Sequence, residues 1–136
     1  MKTLLASVSI GLCLVSGATQ AQEASVGAQL FNQYCATCHG SDGAGQGPLT
    51  ELMLEKPSDL THLAANNQAE PGVFPMLRVV HVIDGRTGLR AHGGSMPTYG
   101  DIFTAEVEDQ MGSYGAVLET RGRVLSLAMY LESIQK

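Results

Sequence analysis

The sequence predicts an all-α protein with about three to five helices and long glycine-rich loops. Three segments, 24–34, 73–83 and 120–135, repeat apolar residues near the 3.6-residue period of a helix. Many of the 16 glycines gather in two other stretches, 40–48 and 85–100, which are too rich in glycine for regular structure. A chain of 136 residues holds one ordinary core, so we expect a single domain.

The last of these segments has the clearest helical pattern, and the first leads into a pair of cysteines. In 120–135 one helical face is apolar, with Val124, Leu127, Ala128 and Leu131. The segment 24–34 ends directly before Cys35, so we expect its helix to enter the cysteine motif.

The chain between these helices gives weaker patterns. The β-branched residues of 73–83 permit a strand, but its length and its helical surroundings favour a helix that Gly85 ends. We also expect a short helix at 49–56 and another that Thr104 caps and that ends near residue 111. A break is expected at Gly112–Gly115.

Residues 35–39 form a Cys-x-x-Cys-His motif, the pattern of a covalent haem attachment site. Each thiol can add to one vinyl group of a porphyrin, and the adjacent His39 can turn a ring nitrogen onto the iron. A zinc site would need a second pair of ligands, and a thioredoxin-like dithiol would need a βαβ setting. Because the chain has no second cysteine pair, the motif favours haem c, one per chain.

The amino-terminal residues have the features of an export signal. Lys2 supplies a positive charge, 4–15 form an apolar run, and 16–21 are mostly small residues. The apolar run is shorter than the roughly 20 residues that span a bilayer. We therefore expect cleavage after Ala21, with cleavage after Ala18 or a retained anchor as alternatives.

Cleavage would divide the chain into a signal peptide, 1–21, and a monohaem domain, 22–136, in the periplasm. Cys13 would leave with the signal, so the motif cysteines would be the only thiols of the mature chain. Without Lys2 the chain has 7 Lys+Arg against 13 Asp+Glu, a formal charge of −6. An acidic surface argues against nucleic acid and anionic lipid as partners and suggests redox proteins with basic patches.

The ordered motifs of the mature sequence resemble those of the class I cytochromes c. They are Gly27 and Phe31 in the first helix, residues 35–40, Gly47-Pro48-Leu49, Met96-Pro97 with Gly100, and Tyr130-Leu131 in the last helix. The resemblance implies a cytochrome c fold, in which the helices wrap around one covalently bound haem. It also implies that Cys35 and Cys38 form thioethers, that His39 is the proximal iron ligand, and that the Pro48 carbonyl accepts a hydrogen bond from His39.

The same resemblance makes Met96 the distal ligand of the iron. Met96 precedes Pro97 in a glycine-flanked loop, whereas packing explains the methionines in or beside predicted helices, at 53, 76, 111 and 129. His92 is the main competitor, and His81 and His62 are weaker ones. An open sixth position is the remaining alternative.

A His and Met pair would saturate the iron, disfavour binding of oxygen or peroxide, and raise the reduction potential relative to two histidines. The main functional prediction is therefore a one-electron carrier between periplasmic or membrane redox proteins, which meets the membrane only through partner complexes. His92 and Arg90 keep open a haem enzyme or gas-binding protein with a displaceable sixth ligand.

A third alternative is a dedicated cytochrome subunit of a dehydrogenase or oxidase, so the chain would be a monomer or part of a complex. Residues 101–119 exceed the length of the shortest cytochromes of the class. They are expected to form either an additional helix that covers the haem edge or docks a partner, or a solvent-exposed elaboration.

Overall fold

The computed structural model describes residues 16–86 and 96–136, and of residues 16–24 it describes the backbone alone. Within these ranges lie four α-helices, α1 Ser16–Tyr34, α2 Ala36–His39, α3 Met76–Asp84 and α4 Tyr99–Ser133, and two 3-10 turns, Thr50–Leu52 and Leu60–His62. The described ranges contain no β-strand. The predicted all-α class is confirmed.

Helix α1 crosses the second half of α4 at Gly27. A Cβ added to Gly27 would collide with the carbonyl oxygen of Ser126 and would lie 2.7 Å from the Cβ of Tyr130. One turn later, Phe31 is fully buried, and its ring centroid lies 5.2 Å from that of Tyr130. The missing side chain lets the two backbones approach, and the two aromatic rings fill the space beside the crossing.

Helices α3 and α4 complete the core. The buried apolar side chains that they contribute to the core cluster are Val79, Ile83, Tyr99, Phe103, Val124, Leu127, Ala128 and Leu131. The hydroxyl of Tyr99 donates to the backbone carbonyl of Tyr34 at 2.6 Å, which fastens the start of α4 to the end of α1. Helix α3 ends at Gly85, as predicted, in a left-handed conformation with a φ of 73° that suits glycine.

Helix α4 is longer than predicted. It starts at Tyr99, and the Thr104 hydroxyl donates to the Gly100 carbonyl at 2.7 Å within the helix, so the predicted cap at Thr104 is wrong. The predicted break at Gly112–Gly115 is present at Gly112 alone, which has the non-helical angles φ 66° and ψ 168°. Gly115 is helical.

Residues 101–119 therefore belong to α4. Three of their side chains, Phe103, Val107 and Ala116, are buried. The alternative of a purely solvent-exposed elaboration is thereby excluded, and the additional helical segment packs into the core.

Two other boundaries differ from the prediction. The segment 49–56 forms a single 3-10 turn instead of a short helix. Helix α1 begins at Ser16 and runs through the two expected cleavage positions. Residues 1–15, which hold most of the predicted signal, lie outside the described chain. Among the described helices, none combines the length and the apolar character required to cross a bilayer.

Replacing Gly27 with alanine is expected to destabilise the folded protein by about 1–3 kcal/mol, because the new methyl group meets backbone atoms of α4. Gly122→Ala is the matched control, since no atom lies within 4 Å of its added Cβ. Alanine favours a helix over glycine, so this control should be neutral or up to about 1 kcal/mol more stable. Denaturant unfolding of both variants measures the difference, and equal stabilities would contradict the close helix crossing.

Candidate functional site

The Cys-x-x-Cys-His motif folds as a tight continuation of α1. The backbone N–H of Cys35 donates to the Phe31 carbonyl at 2.8 Å, and the N–H groups of Cys38 and His39 both donate to the Cys35 carbonyl, at 3.1 and 2.9 Å. This turn places Cys35, Cys38 and His39 along the wall of one cavity. The spacing read in the sequence thus brings two thiols and an imidazole to the same space.

The glycine-rich loop after the motif folds back onto it. The N–H of Gly45 donates to the His39 carbonyl at 2.7 Å, and the N–H of Gly47 donates to the Cys38 carbonyl at 3.0 Å. A Cβ on Gly47 would collide with the Thr37 carbonyl oxygen and would lie 2.6 Å from that of Ala36. Glycine is needed at position 47 because the loop runs directly over the backbone of α2.

Two adjoining cavities, of about 310 and 440 Å³, lie beside the motif. Both are lined by Cys35, His39, Ser58 and Met96. Their volumes fall within the range of about 300–1,000 Å³ that is usual for ligand sites. The two cysteines, the histidine and Met96 are therefore brought together around a space large enough for a bulky cofactor.

The environment of His39 prepares one ring nitrogen for a metal. Its Nδ1 lies 3.0 Å from the carbonyl oxygen of Ser58. A carbonyl can only accept, so Nδ1 carries the proton and Nε2 keeps its lone pair. Burial lowers the pKa of the imidazole, and the hydrogen bond to Ser58 opposes that shift. The ring is therefore neutral, and the lone pair of Nε2 is available to coordinate iron.

The hydrogen bond predicted between His39 and the Pro48 carbonyl is not the one that the structure contains, and the role of Pro48 stays a prediction. The carbonyl that meets His39 belongs to Ser58, ten residues further along the chain. Pro48 is exposed, and its neighbours Gly47 and Leu49 donate instead to the carbonyls of Cys38 and Thr37, both at 3.0 Å. These bonds hold the Pro48 segment beside the backbone of α2, while the segment at Ser58 lies on the ring side.

Cys35 and Cys38 are not joined to each other in a disulfide. Burial raises the pKa of the Cys35 thiol to about 12, and the neighbouring Cys38 adds to that shift. Cys35 is therefore a neutral thiol near pH 7 before any covalent attachment. Among the residues that the structure describes, no group of three or more His, Cys, Asp and Glu side chains is placed to hold a metal ion.

The candidate distal ligands of the iron differ in where they lie relative to the two cavities. His92 and Arg90 lie outside the described residues. His62 is exposed, with its Nδ1 3.1 Å from Asp59 Oδ2, and neither His62 nor His81 lines either cavity. Met96 is half-buried, lines both cavities and packs against the core. Met96 thus borders the same two cavities as His39, and its bond to iron stays a prediction.

Several residues that line the cavities were not predicted from the sequence. Ser58 was missed because its contribution is a backbone carbonyl. Met53 was assigned to packing, yet it lines the smaller cavity. Arg78 lines the larger one together with an apolar wall, which includes Leu60, Leu63, Val79, Val82, Ile83, Leu127 and Leu131. The helical periodicity of α3 and α4 indicated an inward face for some of these residues, but not that this face borders a cavity.

The site fits haem c on the chemistry of its donors. Two thiols and a neutral imidazole line the smaller cavity, the thioether of Met96 lines both cavities, and aliphatic side chains form much of the wall of the larger one. A porphyrin has a large apolar face, which such a wall would shield from water. An all-α fold with this arrangement defines a c-type cytochrome.

Comparisons with known proteins agree with this class. The family model for cytochrome c oxidase, cbb3-type, subunit III matches residues 22–114. The cbb3-type cytochrome c oxidase subunit FixP of Sinorhizobium medicae (strain WSM419) is 31% identical over 96 residues, which are 66% of this chain and 28% of that protein. The chain thus spans little more than a quarter of the length of this relative. No solved structure gives a significant match.

The chain belongs to the cbb3-type cytochrome c oxidase subunit III family. It is a class I c-type cytochrome with the cytochrome c fold, an electron-transfer protein that carries covalently bound haem c.

Replacing Met96 with alanine is expected to remove the weak absorption band of a sulfur-to-ferric-iron bond from the oxidised protein. Met53→Leu is the matched control, because Met53 is a second thioether that lines the smaller cavity. The control should keep the band. Visible spectra of the two oxidised holoproteins show which variant has lost the band. A band that survives in Met96→Ala would exclude Met96 as the ligand.

Proposed function

We propose that the protein is an exported monohaem electron carrier whose iron is held by His39 and Met96. Cys35 and Cys38 form the two thioether bonds in this proposal. Bound haem c supplies an iron that alternates between its ferric and ferrous states. The observation that supports the proposal most directly is that His39 and Met96 line the same two cavities.

The residues of the chain then have separate tasks. The Ser58 carbonyl orients His39 and increases the basicity of its Nε2. The thioether of Met96 and the imidazole are both neutral, and a His and Met pair raises the reduction potential. Leu127, Leu131 and the aliphatic residues of α3 exclude water from the larger cavity. A dry site with neutral ligands changes little when one electron enters or leaves.

The proposed partner is a terminal oxidase. The relative from Sinorhizobium medicae is a subunit of a cbb3-type cytochrome c oxidase. We infer that this chain likewise delivers electrons to an oxidase of that type, either as a subunit or as a shuttle. Oxygen uptake by a purified cbb3-type oxidase, supplied with the ferrous protein as its only reductant, tests this partner. Absence of uptake would exclude the oxidase and leave the electron-carrier class intact.

Export is part of the same proposal. The family match begins at residue 22, directly after the predicted cleavage position at Ala21. Residues 1–21 are proposed to be the signal peptide and 22–136 the periplasmic domain. Amino-terminal sequencing of haem-containing protein from a periplasmic fraction should give Gln22 as the first residue.

A saturated iron distinguishes a carrier from a gas-binding protein or a haem enzyme. Mixing the ferrous protein with carbon monoxide should therefore give slow and incomplete binding at pH 7. Met96→Ala should bind carbon monoxide at least about a hundredfold faster. In this variant binding does not first require a bond of several kcal/mol between iron and the Met96 sulfur to break. Rapid binding by the unmodified protein would support the displaceable-ligand alternative instead.

Arg78 is expected to tune the reduction potential. Among the described residues that line the larger cavity, it is the one with a cationic side chain. A cation beside this cavity would stabilise the ferrous state of a bound haem, which has one positive charge fewer. Arg78→Gln should therefore lower the potential by about 20–40 mV, the equivalent of roughly 0.5–1 kcal/mol for a partly exposed pair. Arg78→Lys, which keeps the charge, is the control in a redox titration, and equal potentials in all three proteins would contradict this role.

A further inference from the structure

The end of α3 packs directly against the start of α4. A Cβ added to Gly85, which ends α3, would lie 2.7 Å from the Cγ2 atom of Thr98. A Cβ added to Gly100, in the first turn of α4, would collide with the Oδ1 atom of Asp84 and would lie 2.6 Å from the Nε atom of Arg86. The two segments therefore meet at two close contacts, and a glycine at each contact lets them approach.

An ion pair lies at this meeting point. The Oδ1 atom of Asp84 accepts from the Nη2 atom of Arg86 at 2.6 Å and from its Nε atom at 3.0 Å. The side chain of Asp84 is 17% exposed and that of Arg86 is 35% exposed. The pair is thus partly shielded from water and held by more than one charge-assisted hydrogen bond, which makes it stronger than an ordinary exposed ion pair.

The charges of the pair match the start of α4. The Asp84 carboxylate lies beside Gly100, at the end of α4 where the helix dipole is positive. Hydrogen bonding to Asp84 raises the pKa of Arg86, burial opposes that shift, and the negative charge of Asp101 adds to it. Asp101 belongs to the first turn of α4. Both members of the pair are therefore attracted to the same end of this helix.

Met96 is close to this contact along the chain. It precedes Thr98 by two residues, so their Cα atoms are at most about 7 Å apart. Pro97 lies between them and has a fixed φ angle, which makes the connection stiff. On the other side, the hydroxyl of Tyr99 donates to the Tyr34 carbonyl at 2.6 Å. The backbone that bears the Met96 thioether is thus held both from the end of α3 and from the end of α1.

We propose that Asp84 and Arg86 are positioning residues for the distal ligand, because their ion pair clamps the start of α4 to the end of α3 and thereby keeps Met96 at the haem iron. This inference rests on the proposed function, in which Met96 is a ligand. A thioether is a neutral ligand, and the groups behind a ligand decide how firmly it is presented to a metal. Loss of the clamp would free the Met96 backbone and raise the rate at which the sulfur leaves the iron.

The test measures how fast imidazole binds to the ferric holoprotein. At saturating imidazole the rate is limited by the opening of the bond between iron and the Met96 sulfur. Arg86→Gln should raise this limiting rate by about three- to tenfold, as expected when a partly exposed ion pair is lost. Arg121→Gln, which removes the same charge from an exposed position of α4, is the matched control and should keep the rate of the unmodified protein. Equal rates in all three proteins would overturn the proposal.

The Met96→Ala background separates positioning from a general structural effect. In this background no sulfur has to leave the iron, so adding Arg86→Gln should not change the rate of imidazole binding. The acceleration by Arg86→Gln should therefore appear only when Met96 is present. An equal acceleration in both backgrounds would show that the pair controls access to the cavity or general stability, and would overturn the positioning role.

A second substitution tests whether the two residues act as one unit. Asp84→Asn should raise the limiting rate about as much as Arg86→Gln does, because either change removes the same ion pair. The two substitutions combined should have little more effect than each one alone. Effects that multiply in the combined variant would mean that the residues act independently, and would overturn the clamp.

The visible spectrum of the unmodified ferric protein separates this inference from the proposed function. If that spectrum lacks the band of a sulfur-to-iron bond, ligation by Met96 is wrong and the inference falls with it. If the band is present and Arg86→Gln leaves the limiting rate unchanged, the clamp alone is wrong. Ligation of the iron by His39 and Met96 would then still stand.

Discussion

The hydrogen bond between His39 Nδ1 and the Ser58 carbonyl is the contact on which the site depends. At 3.0 Å it fixes the tautomer of the imidazole and leaves Nε2 free for iron. It also sets where the segment after Pro57 must run, because this segment has to present a carbonyl to the ring. The N–H of Leu60 donates to the Gly43 carbonyl at 2.8 Å, so the same segment is bound to the glycine-rich loop that follows the motif.

The carboxyl end of α4 supports this segment from its other side. The side chain of Gln135 accepts from the N–H of Ala64 at 2.9 Å and donates to the Leu60 carbonyl at 2.8 Å. The N–H of Lys136 donates to the Thr61 carbonyl at 2.9 Å. The orientation of His39 therefore also depends on Gln135 and Lys136, through polar contacts to a segment whose Leu60 and Leu63 pack against the core.

The core and the cofactor cavity share one set of side chains. Leu127 and Leu131 pack in the core formed by α1, α3 and α4, and both also line the larger cavity. A chain with no Trp and few aromatic residues has little bulk for its interior. The haem of this family supplies apolar surface at that place, so the close crossing of α1 and α4 at Gly27 serves both the fold and the shape of the cavity.

The sequence by itself determined the all-α class, the attachment motif and the candidate Met96, because helical periodicity and the order Cys-x-x-Cys-His are local properties of the chain. Tertiary structure decided the carbonyl that meets His39, which is Ser58 and not Pro48, since any backbone carbonyl can accept and only the path of the chain selects one. The predicted break at Gly112–Gly115 is confirmed at Gly112, and only the tertiary structure shows that the chain is helical again by Gly115. The exposure of Leu49, Leu52 and Leu54 is also decided by tertiary structure, because the Thr50–Leu52 turn is held against Cys38.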